Sequence, residues 1–298
     1  MGKSSRGIGA GNMLSLVTVA FNNPAELEKT AASVLQQTVQ PHTYVVVDSS
    51  DEALQPTMRS LASLVGAKYV WTPPTGVYPA MSESMKHVPD NSWVWWLNSS
   101  DWLAGTKSIE SVVDHIDAIG KDGAHWIIGE LLRSRKGVLS LHETGQSGEE
   151  FLRLLESGRT GFPHPSTIFW KPSLTTLHPY EDGFTIASDY AVALRFGRVF
   201  GPPQLIPTTL SIHDPTGLTA RHPLKNLIEK SQSRARMGLS DLASEVWRLP
   251  FSSSHAVVKR LVGEKKPAPT GGRAANFPLQ SNHPFDAPLK IDRLDEAQ

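Results

Sequence analysis

Apolar positions in the first hundred residues fall in short unbroken runs, separated by longer stretches where they recur every three or four places. Leu14 to Phe21 is one such run, Thr43 to Val47 a second and Trp93 to Leu97 a third, with Lys68 to Trp71 a further short strand. Apolar runs of this length without polar alternation predict strands covered on both faces, as in parallel sheets with helices on either side. Between the runs the spacing turns helical. Asn23-Pro24-Ala25-Glu26 supplies an N-cap, a proline at the first helical position and a capping-box glutamate for a helix reaching about Gln37. A second helical pattern reaches about Val65, and Tyr78, Met81, Met85 and Val88 fall on one face of a third. Strand and helix alternate, which predicts an α/β fold with a doubly wound first half.

The second half is less regular. Helices are expected over Lys107 to Ile119 and Glu149 to Leu155, strands over Trp126 to Leu132 and Thr167 to Trp170, and a further helix starting just before Asp189. Leu224 to Val262 has helical patterning broken at Pro250 and carries Lys225, Lys230, Arg234, Arg236, Lys259 and Arg260. Two readings of it stay open, a solvated helical face and peripheral contact with an anionic membrane. From Gly263 onward prolines and glycines replace apolar periodicity, as in a tail that is disordered or draped over the domain. The expected organisation is a flexible leader over 1–12, a main domain over 13–219, a helical segment over 220–262 and a tail over 263–298.

Composition narrows the function classes. The 298 residues are enough for an enzyme with a substantial core. Lys plus Arg equals Asp plus Glu at 29 each, so no global field favours nucleic acid and any anion site must be local. The absence of cysteine removes disulfides, thiolate catalysis and sulfur-bound zinc. No apolar run approaches the roughly 20 residues that cross a bilayer, and the N-terminus lacks a signal-peptide core, which makes the cytoplasm the expected location. Gly7-Ile8-Gly9-Ala10-Gly11 precedes the first strand and so lacks the context of a dinucleotide loop. The sequence has no G-x-x-x-x-G-K, G-x-S-x-G or H-E-x-x-H motif.

Three carboxylates, Asp48, Asp101 and Asp189, lie where a strand or core segment meets a loop. In an open α/β sheet the strand ends line one crevice, so Asp48 and Asp101 are expected to face one cleft. Asp48 suits a ribose or base edge, or simply a turn. Asn98-Ser99-Ser100-Asp101 is a polar segment ending in a carboxylate at a strand terminus, a place to grip a divalent cation and the diphosphate it neutralises. Asp189 is either a helix N-terminal cap or a general base aimed into the cleft. His164 and His213 lie in turn-like stretches, where each suits a phosphate, metal or acceptor contact or the filling of a polar gap under a loop.

Taken in order, these segments resemble family 2 glycosyltransferases with the GT-A fold, particularly the bacterial exopolysaccharide and colanic-acid branch. That branch usually reads like G-I-Y-D-A-M-N-K-G-I, then a strand, then L-N-S-G-D. The equivalents here are Gly76 to Met85 and Leu97-Asn98-Ser99-Ser100-Asp101. The resemblance continues through Val17 to Asn22, Val45 to Asp48, His164 to Phe169 and Ile186 to Tyr190, and covers about Met13 to Thr219. It implies a GT-A fold with a central, mostly parallel mixed sheet flanked by helices. It makes Val19, Phe21 and Asp48 nucleotide contacts, places Asn98, Ser100 and Asp101 in the metal and diphosphate segment with Asp101 as the carboxylate, and makes Asp189 the general base.

The implied reaction is inverting transfer of a sugar from a nucleotide-sugar donor to an acceptor hydroxyl in glycan or polysaccharide assembly. It brings a divalent cation, Mn or Mg, and a UDP-sugar first, with GDP- and dTDP-sugars open. The acceptor is a glycan or lipid-linked molecule, and the location is the cytoplasm, including its membrane face. The departures are Pro79 for the usual Asp, Ser82 for Asn and Glu83-Ser84 for Lys-Gly, with uncharged Asn98 and Ser100 in the metal segment. They keep a second reading open, a non-catalytic GT-A domain that binds a nucleotide or a partner; a third is a nucleotidyltransferase.

Overall fold

A computed structural model describes residues 13–120, 123–135, 137–180, 183–215, 217–240 and 277–278. The first half alternates as the apolar runs require: β1 (Met13–Ala20), α1 (Pro24–Leu35), β2 (Thr43–Asp48), α2 (Gln55–Leu64), β3 (Lys68–Trp71), α3 (Val77–Ser84) and β4 (Ser92–Trp96). There follow β5 (Trp102–Leu103), α4 (Ser108–Ile119), β6 (Trp126–Arg135), β7 (Val138–Leu141), α5 (Gly148–Glu156), β8 (Thr167–Trp170), α6 (Lys171–Thr175), α7 (Ser188–Phe200), β9 (Gln204–His213), α8 (Leu218–Arg221), α9 (Pro223–Arg236) and β10 (Phe277–Pro278).

One mixed sheet runs in the order β10-β7-β6-β8-β4-β1-β2-β3, with β9 paired to β6 and β5. Strands β4, β1, β2 and β3 are mutually parallel, β8 runs antiparallel to both β4 and β6, and β9 is parallel to β6. This is the α/β architecture of a GT-A fold. The leader and residues 241–276 and 279–298 lie outside the described residues. Among the described residues no helix is long and apolar enough to cross a membrane.

The unbroken apolar runs are explained by cover on both faces. Val17, Val19, Val45, Val47, Val94 and Trp96 pack into one cluster with residues of α3, α5 and α7. The alternate residues Leu14, Leu16, Tyr44, Val46, Trp93 and Trp95 join a second cluster with α1, α2 and α4. Trp95 and Trp96 are both fully buried, because Trp95 Nε1 donates to the Pro165 carbonyl at 2.7 Å and Trp96 Nε1 to Ser84 Oγ at 3.2 Å. At about 25 cal/mol per Å² of apolar surface, each indole contributes on the order of 4 kcal/mol to burial.

Two local expectations are corrected. Pro24 starts α1, but Asn23 makes no side-chain cap bond and the helix ends at Leu35, short of Gln37. The Asn23 amide donates instead to Ser99 Oγ at 2.8 Å, tying the start of α1 to the segment behind β4. The third helix also stops early, at Ser84, and Met85 to His87 form a single 3₁₀ turn. Pro79 lies in the first turn of α3, where a missing N–H costs no helical hydrogen bond.

Candidate active site

The segment behind β4 is pinned by its backbone. The Leu97 and Ser99 N–H groups continue the ladder to the carbonyls of Val17 and Val19 at 2.9 and 3.1 Å. Asp101 N–H closes the turn onto the Asn98 carbonyl at 2.9 Å, and Thr30 Oγ1 donates to the Asp101 carbonyl at 2.7 Å. Ser100 is held at φ +98, a conformation that costs a non-glycine residue on the order of 1–3 kcal/mol and clusters at functional sites. The chain then enters β5, where Trp102 pairs with Ile212 of β9.

That pairing sets Asp101 opposite His213, the last residue of β9, with Asp101 Oδ1 2.7 Å from His213 Nδ1. Asp101 is only 3% exposed. Burial works against a charged His213, but the hydrogen bond and charge of Asp101 outweigh it and raise the histidine pKa above its ordinary value. Asn98 Oδ1, at the head of the turn, is buried without a hydrogen-bond partner among the described residues. A buried carboxylate and an orphaned amide oxygen on one turn fit a hard divalent cation that keeps waters and phosphate oxygens in its remaining positions; His213 would join them as the neutral imidazole through Nε2, its Nδ1–H being directed at Asp101. Among the described residues no three His, Asp or Glu side chains cluster to hold an ion unaided.

Asp189 lies in the first turn of α7. Its Oδ1 accepts from the Tyr190 N–H at 2.8 Å and faces Tyr78 Oη at 3.1 Å, while that hydroxyl also stands 2.7 Å from the Ile186 carbonyl. Asp189 Oδ2 has no hydrogen bond among the described residues. The loop just before it is held from α9. The buried Glu229 carboxylate accepts from the N–H groups of Thr185, Ile186 and Ala187, the last two at 2.8 and 2.9 Å, and from Thr185 Oγ1 at 3.1 Å. Burial pushes the Glu229 carboxyl up, but these donors outweigh it and hold its pKa below the ordinary glutamate value.

His164, in the 3₁₀ turn ahead of β8, is buried against Trp96, and its Nε2 has no hydrogen-bond partner among the described residues. Burial lowers its pKa, while the charges of Asp189 and Asp101 act to raise it. His164 therefore stands within electrostatic reach of both carboxylates, which lie 88 residues apart in the sequence.

The remaining expected residues are placed differently. Asp48 ends β2 but is wholly buried, and its oxygens are occupied: Oδ1 accepts from the Ser50 N–H at 3.0 Å and from Ser50 Oγ, and Oδ2 from Tyr69 Oη at 2.7 Å. The expectation that Asp48 faces an open cleft beside Asp101 is thus corrected, because its own turn and β3 consume the carboxylate. Val19 is buried and Phe21 is 55% exposed just past β1. Ser100 is half-buried in the strained turn.

Sequence reasoning did not assign a site role to Tyr78, Glu229, Arg133 or Lys230. Tyr78 and Glu229 hold Asp189 and its loop. A β-carbon built on Gly161 would stand 3.6 Å from Arg133 Nη2, 3.7 Å from His142 Cε1 and 3.8 Å from Lys230 Nζ, so three basic groups converge on one glycine. His142 Nε2 donates to the Gly161 carbonyl at 3.0 Å.

Residues 15–135 match the family described as glycosyl transferase family 2. The chain is 25% identical over 213 residues to an uncharacterized glycosyltransferase, Rv1514c, of Mycobacterium tuberculosis strain H37Rv, covering 69% of this chain and 76% of that protein. Among solved structures it is similar to residues 1–349 of TarS from S. aureus in complex with UDP. There the TM-score is 0.58 at 14% identity, over 78% of this chain and 68% of that one. It is also similar to the mannosyltransferase PcManGT from Pyrobaculum calidifontis in complex with GDP-Man and Mn2+, with a TM-score of 0.52 at 15% identity, over 85% and 76% of the two chains. The chain thus carries a GT-A-type fold, with the glycosyl transferase family 2 match confined to residues 15–135, from β1 to the end of β6.

Proposed function

We propose that the protein transfers a sugar from a nucleoside-diphosphate sugar to an acceptor hydroxyl by single displacement, with inversion at the anomeric carbon. The observation that carries this reading is the division of labour within Asp189. Oδ1 is anchored by Tyr190 and Tyr78 while Oδ2 has no hydrogen bond among the described residues, which is the arrangement of a positioned base with one oxygen left for an incoming hydroxyl. The acceptor proton passes to Oδ2 and the acceptor oxygen bonds to the anomeric carbon. The bond from that carbon to the diphosphate breaks, and its electron pair leaves on the nucleoside diphosphate.

Asp101, His213 and the Asn98 amide oxygen would hold a divalent cation, Mn or Mg. When bound, the cation offsets charge developing on the departing diphosphate. Val19 and the exposed ring of Phe21, with Ser50 and Tyr69 held by Asp48, would line the nucleoside side; Asp48 then acts by fixing its neighbours. A UDP-sugar is the first donor to test, since TarS is solved with UDP, and GDP-sugars follow from the GDP-Man complex of PcManGT. The acceptor is a glycan or lipid-linked molecule in polysaccharide assembly, the role carried by the resemblance to the exopolysaccharide branch.

The test is turnover of a UDP- and GDP-sugar panel, with the configuration of the new bond read by NMR. An inverted product is expected, with kcat lowered about 10²- to 10⁴-fold by Asp189→Asn and nucleotide binding unchanged. Retention of configuration, or undiminished turnover in the variant, would contradict the assignment.

A further inference from the structure

Arg133 and Lys230 are brought together from β6 and α9 with their charged ends within 4 Å of one point, the place a side chain on Gly161 would begin. Arg133 is exposed and Lys230 half-buried, and among the described residues neither makes an ion pair or a hydrogen bond with a carboxylate. Arg234 adds a third positive charge within reach of Lys230, and Asp189 is the carboxylate whose charge acts on that lysine. Like charges gathered in a partly desolvated place repel one another, and an anion relieves that cost. Burial carries the neighbouring His142 down to about 4, so it stays neutral and serves to fix Gly161.

An unsatisfied polar group also lies within the charge of Asp189 and Asp101. His164, 6% exposed, leaves Nε2 without a partner among the described residues in a position that feels both Asp189 and Asp101. The glycine matters too, because a bare Cα leaves a notch between the two cations that any side chain would fill.

We propose that Arg133 and Lys230 form an acceptor subsite, and that the acceptor carries a phosphate group held there beside the hydroxyl that faces Asp189. This rests on Asp189 being the base. In an in-line displacement the base and acceptor lie on the face of the anomeric carbon opposite the leaving diphosphate; Lys230 is the member of the cluster on which the Asp189 charge acts, while Arg133 stands opposite His213 in the β6–β9 pairing. Two fixed positive charges match a phosphate monoester better than a single carboxylate, and Arg133 offers the planar fork that phosphate accepts bidentately.

The test is calorimetry on the full chain with glycerol, glycerate and glycerol 3-phosphate, each with UDP and Mn2+ and again without nucleotide. Glycerol 3-phosphate is expected to saturate about tenfold or more tighter than glycerate, with glycerol undetected. Arg133→Ala and Lys230→Met should each weaken it by about tenfold. Gly161→Ala, whose methyl group meets only ordinary contact distances, should weaken it while circular dichroism and melting stay those of wild type. UDP affinity should hold within about twofold in all three variants. The proposal is overturned if glycerol 3-phosphate binds no tighter than glycerol, or if Arg133→Ala and Lys230→Met leave its affinity unchanged. It is also overturned if both variants weaken UDP equally, which would give the cluster to the leaving diphosphate. Failure of wild type to bind any nucleotide, with glycerol 3-phosphate still dependent on Arg133 and Lys230, would remove the donor reading and leave the anion site standing.

Discussion

His213 Nδ1 stands 2.7 Å from Asp101 Oδ1, joining the last residue of β9 to the turn behind β4. The contact is created by the two-residue β5, which pairs Trp102 with Ile212 and so delivers the preceding carboxylate to the histidine. Opposing effects act on His213, with burial lowering its pKa and Asp101 raising it further. Asp101→Asn removes the raising effect and leaves the burial, so His213 should titrate below the ordinary histidine value instead of above it. Imidazole NMR across a pH series reads this directly, and an unmoved titration would show that Asp101 is not the cause. A raised folded value also fixes the sign for stability. The pair contributes fully below the ordinary histidine pKa and its contribution fades as pH rises through the folded value.

His142 has the opposite sign. Buried beside Arg133, Lys230 and His213, it is lowered from 6.5 to about 4, so the unfolded chain takes up a proton over that interval and the folded one does not. Its contribution is complete above pH 6.5 and is lost as pH falls toward 4, by about 3 kcal/mol at most. Urea unfolding at pH 7 and pH 4.5 should show this loss in wild type and a smaller one in His142→Gln, which retains a donor for Gly161. Equal losses in the two proteins would assign the acid sensitivity elsewhere.

Glu229 is expected to be a stability residue as well as a support for Asp189. Replacing it with Ala leaves the buried N–H groups of Ile186 and Ala187 without partners, at a cost of about 3 kcal/mol. Glu229→Gln keeps one acceptor oxygen and should recover part of it. Chemical denaturation of the three proteins gives the ranking, and an unchanged midpoint in Glu229→Ala would mean that the loop finds other acceptors.

Gly129 on β6 lies under the Leu210 side chain of β9. A β-carbon there would meet Leu210 Cγ at 2.3 Å, next to the register shift between Gly129 and Glu130. Gly129→Ala should therefore cost about 2–3 kcal/mol through overpacking, visible as a lower melting temperature with nucleotide affinity retained. A wild-type melting temperature would show that Leu210 can give way.

Legibility in the sequence followed the kind of burial. Trp93 to Leu97 announced a strand because both faces are apolar, and Lys68–Trp71 and Thr167–Trp170 came out with the boundaries observed. Strand β6 runs three residues past the expected Leu132, because its outer half alternates between half-buried and exposed positions in a hairpin with β7. Helix α9 buries Glu229, Ser231, Ser233 and Arg234, a polar stripe invisible to hydropathy, so within the segment read as a solvated face or a membrane contact this one stripe holds the Asp189 loop, a role hydropathy did not show. Asp101 and His213 were separate candidates, and their meeting across 112 residues of chain has no local signal. Asp48 looked like a cleft residue because strand ends generally are, yet Ser50, two residues on, and Tyr69 on β3 take up its carboxylate.

The central claim is that the turn ending in Asp101 holds a cation and the diphosphate of a nucleotide donor. Calorimetric titration of UDP and GDP into wild type and Asp101→Ala, with Mn2+ and with EDTA, tests it most directly. One nucleotide should bind wild type only with the cation, raising its stability by about 2.7 kcal/mol at a hundredfold excess over Kd, and the variant should lose both effects. Nucleotide binding that is equally tight in EDTA and in Asp101→Ala, or no binding of either nucleotide to wild type, would contradict the account.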